Sequence, residues 1–189
     1  MDDKALALYI VGHQFLNSSQ LLIENLVSHK NKNVIISDHE LTDDEFDDKT
    51  KYCDYNIIIP ILYNYYHGIE LIMKAALEQV GQLKKVRHDI KKLSDDIKKA
   101  YSNDSGFARI ITDIIDNPIN IVVTFEGVNQ KITDFTIYEA LRYPDKKDSL
   151  IEYGCLMYNG ERVLSELQRL NEHIESVKDI TVKKYRELK

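Results

Sequence analysis

The sequence predicts an all-α fold, an antiparallel bundle of four or five helices with a small irregular or β-hairpin insertion before the last long helix. Three observations lead there. Only 7 glycines and 3 prolines punctuate 189 residues, which favours long helices over turn-rich sheets. Apolar residues recur at three- and four-residue steps through most of the chain, the spacing of one helix face. A hydrophobic content of 43% supplies a core and a charged content of 30% a soluble surface, which argues against global disorder. Residues 1–189 are read as a single domain, with an acidic loop over 31–50 and an insertion over 119–145.

The first helix is expected from about Asp3 to Lys30, with Ala5, Leu8, Gly12, Phe15, Ser19, Leu22 and Leu26 on one stripe. Asn31 to Thr50 break that pattern and crowd Asp38, Glu40, Asp43, Asp44, Glu45, Asp47 and Asp48 together. A calcium loop needs a turn glycine, which this stretch lacks, so a solvated loop is the reading. The second helix should run from near Lys51 to about Gly81, with Pro60 either kinking it or marking its true start. Its stripe is Ile69, Ile72, Met73, Ala76, Leu77 and Val80.

A basic turn at 84–87 leads to a third helix, capped by Asp89 or His88, with Ile90, Leu93, Ile97 and Tyr101 facing inward. The fourth is expected from Ser105 to Asp116 and ends at Asn117-Pro118. Residues 121–125 and 131–135 are short and rich in β-branched or aromatic side chains, a hairpin candidate. The last helix should span about Ser149 to Ser176, and the basic tail Lys183-Lys184-Tyr185-Arg186 either extends it or frays.

The formal charge of −6 excludes a uniformly basic nucleic-acid footprint, so any RNA contact must come from a local patch. No apolar run approaches the ~20 residues needed to span a bilayer. The N-terminus is acidic and does not resemble a secretory signal, so a cytoplasmic protein with free thiols at Cys53 and Cys155 and no membrane partner is expected. There is no Gly-rich phosphate loop, HExxH or nucleophile elbow, and the six histidines are scattered. No cofactor and no metal are expected.

Three segments, His67-Gly68-Ile69-Glu70-Leu71-Ile72-Met73-Lys74-Ala75-Ala76-Leu77, His88-Asp89-Ile90-Lys91-Lys92-Leu93 and Leu141-Arg142-Tyr143-Pro144-Asp145, occur in an order and spacing that resembles the HEPN superfamily. These are small helical bundles with many bacterial members. The resemblance implies a homodimer. It also implies that RNA-cleaving members carry an Arg, four to six residues, then a His in the last helix, two such motifs meeting across the dimer to cut RNA without a metal. The nearest match here, Arg169-Leu170-Asn171-Glu172-His173, has three intervening residues, which puts both side chains on one face and changes the geometry.

The expected function is therefore a non-catalytic HEPN-like module binding nucleotide, RNA or a cognate protein partner, in a bacterial defence or toxin–antitoxin setting. The alternative is a metal-independent endoribonuclease, a toxin or antiphage effector, with Arg169, His173, Arg142 and His88 as catalytic candidates. Each candidate carries two readings. His88 either moves protons or orients the start of the third helix. Arg142 either pairs with a carboxylate or helix-end carbonyls, or binds phosphate. Arg169 and His173 either act on RNA or belong to a solvated face beside Glu172 and Glu175. His67 reads as a packing or boundary histidine. Glu70 and Lys74 read as a surface or inter-helix ion pair, although the lysine could meet a phosphate.

Overall fold

A computed structural model describes residues 3–83, 88–117, 138, 141–142 and 161–186. They form α1 (Asp3–Ser28), α2 (Asp43–Thr50), α3 (Asp54–Gln79), α4 (Ile90–Ala100), α5 (Ser105–Asp116) and α6 (Arg162–Arg186). Among the described residues there is no strand, so the predicted all-α class holds for them. No described helix is long and apolar enough to cross a membrane.

The centre of the fold is α3, whose Ile61, Leu62, Tyr65, Tyr66, Ile69, Ile72 and Met73 are all buried. A helix that is apolar nearly all round must be covered on several sides. Here α1 lies along α3, α4 packs against α3 and α5, and α6 meets α1 and α5. Each fully buried Ile or Leu in this core contributes about 1.5–3 kcal/mol relative to exposure. Glycines allow α1 and α3 to approach closely. A Cβ on Gly68 would stand 2.8 Å from Leu16 and 3.0 Å from the Gly12 carbonyl oxygen.

The ends of the helices follow from local chemistry. After α1, Lys30 and Asn31 turn the chain with φ of 56° and 49°. Asn31, fully buried, then accepts a hydrogen bond from the Asp54 amide at 2.6 Å, which supplies the cap that Cys53 does not make for α3. The helix continues through Pro60 instead of starting there. Proline leaves the Asn56 carbonyl without its helical donor, and both residues are exposed, so water can take that donor's place. Asp89 caps α4 through the Lys92 amide, and Asp104 caps α5 through the Phe107 amide.

The acidic loop expected over 31–50 needs correction, because its second half is α2. Thr42 and Glu45 form a capping box, each side chain bonded to the other's backbone amide, and three carboxylates occupy the positive end of the helix dipole. Of the insertion at 119–145, Tyr138, Leu141 and Arg142 are described and have helical backbone. The hairpin expected over 121–135, and the start of the last helix near Ser149, lie outside the described residues, as does Cys155. Cys53 is a buried free thiol.

Candidate functional site

The apolar run of α3 carries two charges, Glu70 and Lys74, one turn apart. Instead of a surface pair they form a buried one, Glu70 at 0% exposure and Lys74 at 6%. Lys74 Nζ donates to Glu70 Oε1 at 2.5 Å. The same oxygen accepts from His88 Nδ1 at 2.9 Å, reaching in from the residue before the α4 cap. On the other side of the carboxylate, the Tyr138 hydroxyl donates to Oε2 in a short hydrogen bond. The Tyr138 proton is thereby committed, so His67 Nδ1, 2.9 Å away, donates to the phenol oxygen. Arg142 Nη1 stands 3.6 Å from Oε2, with its guanidinium 5.5 Å from the centre of the Tyr138 ring.

Electrostatics follow from this enclosure. Burial alone would raise the Glu70 carboxyl, but hydrogen bonds from His67, Lys74 and Tyr138 outweigh it and hold the group well below the usual carboxylate range. Glu70 is therefore a permanent anion, while burial and that neighbouring anion push the Tyr138 phenol up. Neither is equipped to exchange protons near neutrality. His88 differs. Its side chain is 47% exposed, and among the described residues its Nε2 makes no hydrogen bond. Among the described residues, two basic side chains, Lys74 and Arg142, accompany one carboxylate here. Among the described residues, no group of three His, Cys, Asp or Glu side chains is placed to hold a metal ion.

Of the sequence-derived candidates, His88 and Arg142 meet on the two oxygens of Glu70. Arg169 and His173 stand apart from them, in a groove of about 300 Å³ between α5 and α6 that Arg109 and Asp113 also line. The solvated-face reading of His173 is overturned, because α5 covers that side of α6 and leaves the imidazole 9% exposed. Its Nε2 donates to the Ile110 carbonyl at 2.8 Å, and its Nδ1 accepts from the Tyr65 hydroxyl at 2.8 Å. Arg169 is half-buried, bonded to the Asn117 carbonyl and 3.5 Å from Glu166. The contribution of His67 and Tyr138 was invisible in the sequence reading, since Tyr138 lies 68 positions from its partner.

Two imidazoles are held neutral by their surroundings. Burial, and secondarily Lys178, lower His13 to about 4, and burial lowers His173 in the same direction. Between about 4 and the ordinary value near 6.5 the unfolded chain then binds more protons than the folded one. The stability these groups contribute is complete above pH ~6.5 and is lost as pH falls toward 4. The urea midpoint should drop steadily over that window, and the His13 ring protons should titrate with a midpoint near 4 by NMR. A midpoint near 6.5 would mean that His13 is solvated.

The described residues define an all-α fold with a buried carboxylate–lysine pair that a half-exposed histidine reaches. Comparison with protein-family models, curated proteins and solved structures found no match.

Proposed function

We propose that this chain is a non-catalytic HEPN-like helical module that binds a phosphate-bearing ligand, nucleotide or RNA, at the solvent edge of the Glu70 centre. The observation that carries the reading is the state of Glu70. It is completely buried, both of its oxygens are engaged, and it is permanently ionised, so it cannot serve as a proton-transfer group. What it does is fix cations and donors in place. Arg142 and the exposed edge of His88 present N–H donors there, with the Lys74 ammonium behind them, a set suited to a phosphate. The resemblance of the three segments supports a homodimer and a bacterial defence or toxin–antitoxin setting.

Calorimetric titration with ATP tests this. Arg142→Ala and His88→Ala should each weaken binding about tenfold, the loss of one charge-assisted hydrogen bond, with the helical circular dichroism signal retained. Equal affinity in all three proteins, or no affinity in the parent, would remove the nucleotide reading and leave a protein partner.

One observation favours a second reading, the metal-independent endoribonuclease. Glu70 orients His88 through Nδ1 and leaves Nε2 outward, the pairing that positions a general base. In that reading His88 would take the proton of a ribose 2′-hydroxyl and Arg142 would stabilise the charged phosphorus centre.

A further inference from the structure

We propose that the groove between α1 and α6, lined by His13, Lys178, Lys183 and Arg186, binds successive phosphates of a single-stranded RNA. It shares only its ligand class with the Glu70 reading and is made of different residues.

The groove encloses about 670 Å³, and its lining has three cations, Lys178, Lys183 and Arg186, against one carboxylate, Asp179. In a chain of net charge −6 this is a local reversal of sign, the patch that RNA contact would require. Lys183 and Arg186 are exposed and pair with no carboxylate among the described residues, whereas the neighbouring Lys184 is bonded to Asp104 at 2.7 Å. The head group of Lys178 meets a neutral partner, donating to Gln20 Oε1 at 3.0 Å.

Basic residues near a helix C-terminus are ordinarily explained by the macrodipole. That effect fades within the last turn and does not reach Lys178, two turns earlier. Nor does it select one side of the helix, whereas Lys178, Lys183 and Arg186 all border the α1 side. Lys178 and Arg186 lie eight residues apart, about 12 Å along the axis, a spacing that suits successive phosphates of one strand. The groove between two packed helices, whose axes stand about 8–10 Å apart, matches the width of a single strand better than that of a duplex. Val182 is the one apolar aliphatic residue of the lining, so the groove has little to insert into a lipid surface. At its base His13 Nε2 meets Thr181 Oγ1 at 3.0 Å, which fixes the ring as a planar wall, and burial keeps it uncharged.

The experiment is fluorescence anisotropy of the full chain with a short labelled oligouridylate at increasing sodium chloride. The pair Lys183→Gln/Arg186→Gln should weaken binding about tenfold and flatten the log–log salt dependence by about 1.4, ~0.7 for each lost phosphate contact. The charge-matched pair Lys98→Gln/Lys99→Gln on α4 should change affinity by less than about twofold. The Glu70 reading is read out separately by the ATP titration, to which the Lys183→Gln/Arg186→Gln pair contributes nothing, so failure of that reading and failure of this one are separable. The proposal is overturned if the parent does not bind, if the α6 pair binds like the parent, or if the α4 pair weakens binding equally. Binding to anionic vesicles without binding to RNA also overturns it.

Discussion

Glu70→Ala should cost about 3–5 kcal/mol, the penalty for breaking a buried ion pair by removing one partner. Lys74, 6% exposed, would be left buried without its counter-ion, and His88 and Tyr138 would lose the acceptor that orients them. In a chain of this size that is a fall in thermal midpoint of about 10 °C, measurable by circular dichroism. Glu70→Gln keeps the volume and an acceptor and should cost less. The sign of the acid response follows as well. A carboxylate held below its unfolded value contributes stability that is complete above pH ~4.3 and is lost as pH falls further. Glu70→Gln should therefore flatten the acid limb of the stability curve. A loss under about 1 kcal/mol for Glu70→Ala would show that Lys74 reaches solvent once released and that the centre is not a locked unit.

Gly68→Val is the second large effect, expected at about 3 kcal/mol or more. Its Cβ would stand 2.8 Å from the Leu16 side chain and 3.0 Å from the Gly12 carbonyl oxygen. Leu16 can turn aside, but the carbonyl belongs to the α1 backbone and moves only if the two helices separate. Gly68→Ala sets two terms against each other. Alanine gains about 1 kcal/mol in helix propensity, and overpacking costs about 1–3 kcal/mol, so a net loss of about 1 kcal/mol is expected. Combining Gly68→Ala with Leu16→Ala should be less destabilising than the sum, measured as a double-mutant cycle in urea. Full additivity would mean that the crossing of α1 and α3 is looser than described.

The helices that bury a stripe were legible because the stripe is written locally. Ile90, Leu93, Ile97 and Tyr101 face inward as their spacing requires, and the caps at Asp89 and Asp104 stand where Asp precedes an apolar pattern. The helix α2 was missed because Thr50 is its one buried residue, so no apolar period betrays it. Thr42 and Glu45 spell a capping box, a signal masked by the concentration of charge around it.

At the site, Glu70 and Lys74 sat in plain view in His67-Gly68-Ile69-Glu70-Leu71-Ile72-Met73-Lys74-Ala75-Ala76-Leu77. Charges embedded in a run that is apolar on all faces imply a buried pair, and that inference was available without coordinates. The meeting of His88, Tyr138 and Arg142 on one carboxylate was not, because it is set by how distant segments pack. His173 misled for the same reason. Its neighbours Glu172 and Glu175 are polar, and only the placement of α5 over that face makes it a core residue.

The most direct test of the central claim is incubation of the purified protein with total cellular RNA and tRNA in EDTA, followed by end-group analysis. A non-catalytic binding module leaves the RNA intact at high protein concentration. New fragments ending in 2′,3′-cyclic phosphate, absent with His88→Ala and Arg142→Ala, would contradict it and establish the Glu70 centre as a nuclease site.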